Sequence, residues 1–251
     1  MSILINDILK LEDLNNVKIR FVKTNNIIDP IVLFKDDRKS LLDWQFWNYA
    51  KKKSFKVGEI VIGFVKIEGA KWLLFDVSII TNDLGIFNGV GYEYEPVNKF
   101  EKYLGRVTIE YKNKSQNMIR RADSVIKNCR VLQILEDTFD NDIFPGYENV
   151  NISWKELQRV INKGTWKTAL ENQKGVYLIT DKSNGKMYVG SAYGENMMHG
   201  RWFAYIRNGH GGNKELKTLG FDHIKNNFYY SILDIYKSKI HDNTILMRES
   251  W

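Results

Sequence analysis

The chain has 251 residues, 43% of them hydrophobic and 27% charged, which is enough to bury a core and excludes a disordered polymer. Its 37 Lys+Arg against 30 Asp+Glu leave a net charge of +7, an excess that favours an anionic partner, nucleic acid first. One cysteine, Cys129, excludes an intramolecular disulfide and a cysteine-rich zinc site.

In chain order, the first ~50 residues carry helical spacing. INDILKLEDL is one such segment, and DDRKSLLDWQFWNYAKKK opens on a capping Asp and closes on a lysine run. NVKIRFVKTNNIIDPIVLFKD carries no further signal. From Phe55 the period changes: FKVGEIVIGFVKI, KWLLFDVSII and GRVTIEYK are rich in β-branched and aromatic residues and predict strands. SQNMIRRADSVIKN predicts a helix and RVLQIL a strand. The fold class expected is therefore α+β, with a β-rich domain over residues 1–145. The acidic EDTFDNDIFPGYENV reads as a loop or linker, and SWKELQRVINKG as a helix with Ser153 at its N-cap and Glu156 at N3; together they fill residues 146–173. No internal repeat, low-complexity segment or membrane-length apolar run occurs, and the start MSILINDILKLEDL lacks a basic leader and a cleavage site. A soluble, cytoplasmic protein without a membrane partner is expected.

The last third opens on KGVYLITDKSNGKMYVGSA. Strands over 175–180 and 187–191 flank a DKSNGK turn with an Asn-Gly hairpin signal. Helices near 200–208 and 213–219, a strand over 227–235 and a helix from about 242 follow. The hairpin sets Tyr177 at the end of GVY and Tyr188 at the start of YVG, with ten residues between them, each close to a glycine (Gly175, Gly190) that permits close approach. Arg201 falls eleven residues after Gly190, Tyr205 one helical turn later, and Glu249 lies on the terminal helix.

These residues in this order resemble the GIY-YIG nucleases over 174–251. The resemblance implies a small three-stranded antiparallel sheet flanked by helices, and DNA endonuclease activity dependent on Mg²⁺ or Mn²⁺. Tyr177 would be the general base, Tyr188 would orient water or phosphate, and Tyr205 would complete a hydrogen-bonded cluster. Phosphodiester hydrolysis suits these residue types. Arg201 can fork two N–H groups onto a phosphate, and a carboxylate such as Glu249 can hold a hard divalent cation that keeps several waters. Lys186 lies near enough in sequence to lower a phenol's pKa. His210 either touches phosphate or is a loop residue beside NGHGGN glycines, and Asn213 either caps KELKTLG or meets substrate. His199, His223 and His241 have no metal-ligand spacing. Family members continue past this helix to a further Asn, whereas MRESW ends two residues after Glu249, so a domain cut short at that end is expected.

FKVGEIVIGFVKIEGAKWLLFDVSIIT has the cadence of, and resembles, the small β-barrels of the PUA, ASCH and SRA kind. That resemblance implies a DNA-recognition domain, some of whose relatives hold a flipped base between aromatic walls. Trp44, Trp47, Tyr49, Tyr92 and Tyr94 are the candidate walls, and Gln116, Asn117, Arg120 and Arg121 the candidates for phosphate and base-edge contacts. The expectation is a restriction or defence endonuclease acting on double-stranded DNA, modification-dependent if the first domain reads bases. With one site per chain, a duplex cutter either pairs two copies as a homodimer or acts twice. The alternatives are a structure-specific repair nuclease, whose helix-hairpin-helix segment is not visible here, and a binding module with the nuclease fold that no longer cuts.

Overall fold

The computed structural model describes residues 2–195, 197–237 and 239–250 and divides into two compact units, Met1–Asp140 and Asn141–Trp251. The architecture is mixed α+β, and among the described residues no helix is long and apolar enough to cross a membrane.

In the first unit α1 (Ile5–Leu9) is a single short helix, stopped by Lys10 in the left-handed region at φ 49°. β1 (Val17–Val22) comes from the stretch that carried no sequence signal. Asp29 caps α2 (Pro30–Asp36), with proline at its first turn, and Asp37 caps α3 (Arg38–Gln45). The helix expected to run to the lysines therefore ends at Gln45, and Trp47 belongs to β2 (Trp47–Asn48). The long strands β3 (Ile60–Glu68) and β4 (Lys71–Asp83) follow, then β5 (Gly89–Val90), β6 (Tyr92–Pro96) and β7 (Val107–Glu110).

Residues 115–128 do not form the expected helix. Asn113 Oδ1, Ser115 Oγ and Asn117 Oδ1 each accept from the backbone N–H two residues on. These serial turns compete directly with helical bonding. The chain then enters β8 (Ile119–Arg121), a one-turn α4 (Ala122–Val125) and β9 (Arg130–Ile134).

The sheet runs β8-β1-β3-β4-β7-β9, with β6 on β4 and β2-β5 as a separate ladder. β1 and β3 are parallel and the other pairs antiparallel. Its order has two ends, β8 and β9, where the expected barrel would pair them. Ile62, Phe64, Trp72 and Leu74 pack on one side with α1 and Val125, while Val65, Leu73 and Phe75 pack on the other with Ile31, Phe34 and Leu41. Burial on both faces is why VIGFV and WLLF read as unbroken apolar runs.

The second unit begins before the hairpin. β10 (Asn151–Ser153), α5 (Trp154–Val160) and α6 (Gly164–Glu171) precede β11 (Gln173–Asp181) and β12 (Met187–Ala192). Next come α7 (Met197–Asn208), α8 (Phe221–Asn227), β13 (Phe228–Lys237) and α9 (Asp242–Glu249). Ser153 Oγ accepts from Glu156 N–H at 3.2 Å and the Ser153 N–H donates back to the Glu156 carboxylate at 2.8 Å, the capping box that SWKE predicts. The sheet has four strands, not three, in the order β10-β13-β11-β12 and all antiparallel, because β10 adds an edge to β13. The expected helix over 213–219 reduces to a 3₁₀ turn at Leu216–Thr218. Trp154, Leu157, Trp166 and Leu170 share one core with Tyr177, Trp202, Tyr205 and Tyr230. The segment 146–173 thus supplies a large share of that core.

Candidate active site

β11 and β12 pair Tyr177 with Gly190 and Ile179 with Tyr188, so Tyr177, Tyr188 and Gly190 share a face, and α7 packs over it. The Tyr177 ring lies across Gly190 so closely that a Cβ there would stand 2.5 Å from the phenol oxygen. This contact, not turn geometry, is what requires glycine at 190.

Tyr177 Oη and Tyr205 Oη are hydrogen-bonded at 2.9 Å, and Arg201 Nε donates to Tyr177 Oη at 3.1 Å. Arg201 Nη1 also donates to the Gly211 carbonyl at 3.2 Å. Arg201 and Tyr205 come from successive turns of α7, the spacing that puts both on one helix face. The loop supplying Gly211 is itself bonded: Asn208 Oδ1 accepts from the N–H groups of His210 and Gly211, and His210 Nδ1 accepts from Gly212 N–H. Two of the five guanidinium N–H groups are thereby used, and the half-buried head lines a cleft of about 280 Å³ with Ser191, Ala192, Tyr193, Met197 and Gly200.

Tyr177, Tyr205 and Trp202 are each 0% exposed. Burial pushes the Tyr177 phenol up to about 12, with the Arg201 charge and the Tyr205 hydrogen bond pulling it back only in part. Burial first, then the neighbouring Tyr177, raises Tyr205 further. This placement works against Tyr177 as a base in contact with water: the phenol is hard to ionise and has no exposed surface. Its position suits it instead to hold the guanidinium. Tyr188 is half-buried and lines a second cleft of about 420 Å³ with Lys186, Asp181, Asn184 and Glu215. Lys186 therefore stands on the Tyr188 side.

Glu249 enters the site through one residue. Its Oε2 accepts from Ser191 Oγ at 2.5 Å, and Ser191 lines the Arg201 cleft. Strand alternation puts Ser191, paired with Val176, on the face opposite Tyr177. α9 is anchored by the buried Lys174, whose Nζ donates to Asp242 Oδ1 at 2.7 Å and to the Ile240 carbonyl at 2.9 Å. Among the described residues no group of three or more His, Cys, Asp or Glu gathers as for a fully protein-ligated metal. A single carboxylate bonded to a cleft-lining serine fits a cation that retains most of its water, so Glu249 suits Mg²⁺ or Mn²⁺ and nothing that demands a protein cage.

The other sequence candidates spread out. Asn213 Oδ1 accepts from Leu216 N–H at 2.9 Å and is a cap, as KELK suggested. Tyr92 is corrected as a base contact: it is 2% exposed and its hydroxyl is taken up by Asn48 Oδ1 and the N–H groups of Ser54 and Phe55. Tyr94 stacks on Phe46 with ring centres 3.9 Å apart, and Trp44 packs against the Phe34 core, so these rings do not wall a pocket. Trp47 offers its carbonyl to Arg20. Tyr49, by contrast, lines a groove. Arg120, Arg121 and Asn117 line that same groove, and Gln116 is exposed on the loop before it. Sequence reasoning passed over Ser191 and Lys174; a serine after YVG and a lysine before GVY carry no signal until α9 is docked. No family model, curated protein or solved structure matches the chain, so what this site does is to be argued from its own geometry.

Proposed function

We propose that the second unit hydrolyses phosphodiester bonds in DNA, as a GIY-YIG-type endonuclease whose biological role is restriction. The observation that carries the reading is Arg201: it is fixed at Nε by Tyr177 and at Nη1 by Gly211, on the wall of a cleft also lined by Ser191, whose hydroxyl is bonded to Glu249. A guanidinium held at two of its nitrogens meets an incoming phosphate already oriented, which favours the charge that builds up in phosphoryl transfer. Tyr177 and Tyr205 hold and orient Arg201. Tyr188, the phenol nearer solvent, positions the attacking water. Glu249 would hold Mg²⁺ or Mn²⁺, which supplies charge neutralisation and an acidified water when bound. The net charge of +7 favours a polyanionic substrate over a small phosphoester.

The test is cleavage of plasmid, unmodified phage DNA and cytosine-modified phage DNA with Mg²⁺, by wild type, Arg201→Ala and Glu249→Ala. The proposal expects cutting by wild type and loss of about 10²-fold or more in either variant. Cutting restricted to modified DNA makes the restriction modification-dependent. Binding without cutting on any DNA supports the binding module instead and refutes the catalytic roles.

A further inference from the structure

Three grooves of the first unit meet around the loop 112–118. The first, about 390 Å³, is lined by Lys23, Lys66 and Lys112 with Asn113, Ser115 and the edge of Trp72, and by no acidic residue. Lys66 Nζ sits 4.3 Å over the Trp72 ring; burial lowers its pKa and Lys23 pushes it the same way, so like charges are held together here. The second groove, about 680 Å³, shares Lys112 and adds Lys114 and Arg120; its one acid, Glu110, is bonded to Arg130 at 2.6 Å. The third, also about 680 Å³, shares Arg120 and adds Lys18, Lys52, Lys53 and Arg121 beside Tyr49, which is 57% exposed.

Some of these charges are neutralised: Lys18 pairs with Glu59, Lys53 with Asp83 and Arg121 with Asp123. Lys23, Lys66, Lys112, Lys114, Arg120 and Lys52 form no ion pair among the described residues. The loop between the grooves is already set by its side-chain turns and by Arg120 Nη1 donating to Asn113 Oδ1 at 3.3 Å. Six unpaired cations on a fixed, concave, continuous track repel one another in the free protein. A chain of phosphates relieves that repulsion and releases its own counterions.

We infer that the first unit grips a nucleic-acid backbone along this belt, with Lys23, Lys66, Lys112, Lys114, Arg120 and Lys52 on phosphates and the exposed loop residues Gln116 and Asn117 toward the bases. Concave grooves flanking a polar loop fit a phosphodiester backbone better than a flat membrane surface. The belt needs no chemistry from the second unit, so the inference stands or falls apart from the proposed cleavage.

The experiment is fluorescence anisotropy of the full chain in EDTA, where no cutting occurs, with labelled duplex DNA, duplex RNA and single strands across a salt series. Wild type is compared with Lys23→Ala/Lys112→Ala/Lys114→Ala and with the charge-matched control Lys99→Ala/Lys127→Ala/Lys155→Ala. All six lysines are exposed. The belt variant is expected to lose about tenfold or more in affinity near 0.1 M salt. Its slope of log K against log salt should fall by about 2 to 3, at about 0.9 per lost duplex phosphate contact. The control should stay within about twofold, and the three Lys→Arg replacements should restore binding. If the alanine variant fails to fold, Lys112→Gln alone carries the test, with a slope change of about 0.9. Equal weakening by belt and control variants, or no weakening by the belt variant, overturns the inference. So does binding to anionic phosphatidylserine vesicles that the belt variant loses while keeping the duplex.

Discussion

Gly190→Ala tests the packing of the site most directly. The new methyl would stand 2.5, 2.6 and 2.8 Å from Tyr177 Oη, Cζ and Cε2. Those atoms belong to one rigid phenol, and its ring is held edge-on between Trp202 and Tyr205 with centres 6.1 and 5.9 Å away. Tyr177 cannot yield by turning a flexible end, so it must move as a body and leave both Tyr205 Oη and Arg201 Nε. Overpacking of this kind costs about 1 to 3 kcal/mol, and each of the two hydrogen bonds adds about 1 kcal/mol. The sum, about 3 to 5 kcal/mol, corresponds to a fall of about 10 to 20 °C in the unfolding temperature of a unit this size. Thermal unfolding followed by circular dichroism reads it, with Gly164→Ala as control, because nothing lies within 4 Å of the Cβ that substitution adds. Gly164→Ala should be neutral or slightly stabilising, since alanine favours a helix. A Gly190→Ala protein within about 0.5 kcal/mol of wild type would refute the argument, that being the usual range for an innocuous substitution.

Tyr177→Phe keeps the ring but leaves Tyr205 Oη buried without its partner, an expected loss of about 1 to 3 kcal/mol in denaturant melts. It should also lower cleavage more than it lowers DNA affinity, because Arg201 remains but is no longer aimed. Ser191→Ala frees Glu249 from its partner; folding should shift by only about 1 kcal/mol, while the divalent-metal concentration needed for half-maximal cleavage rises. Asp76 predicts a pH effect in the first unit: burial pushes its carboxyl up to about 6, against hydrogen bonds from Ser78 and Gln45 and the Arg38 charge. The folded state then binds more protons than the unfolded state between about pH 4 and pH 6, so stability from this group falls as pH rises through that window and levels off above it. The drop is on the order of 3 kcal/mol, and Asp76→Asn should flatten the curve of urea midpoint against pH.

The hairpin with its two tyrosines, the SWKE capping box and the two long apolar strands were legible because each is encoded locally: alternation, an Asn-Gly turn, a cap three residues before its partner. Tyr177, Arg201 and Tyr205 were legible as a set only through the GIY-YIG resemblance, and the structure brings them together. Other features are invisible at that range. β1 was missed although VKIRF alternates as a strand does, and its burial on both faces was not legible, because Arg20 is buried where the Gln45 and Trp47 carbonyls receive it. The helix expected at 115–128 failed to bonds between side chains and backbone that propensity does not weigh against position. The aromatic composition around Trp44 and Tyr92 suggested a pocket, and docking of Asn48, Ser54 and Phe46 turned Tyr92 and Tyr94 into core instead. Composition and periodicity by themselves determined the class of elements, and the grouping of Tyr177, Tyr188, Arg201 and Tyr205 came from the resemblance to a known family. Only the tertiary structure decided that the Tyr177 phenol is sealed from water, that Glu249 bonds the cleft-lining Ser191, and that Lys23, Lys66 and Lys112 line one groove. Burial and long-range pairing depend on segments far apart in the chain, and no local pattern carries them.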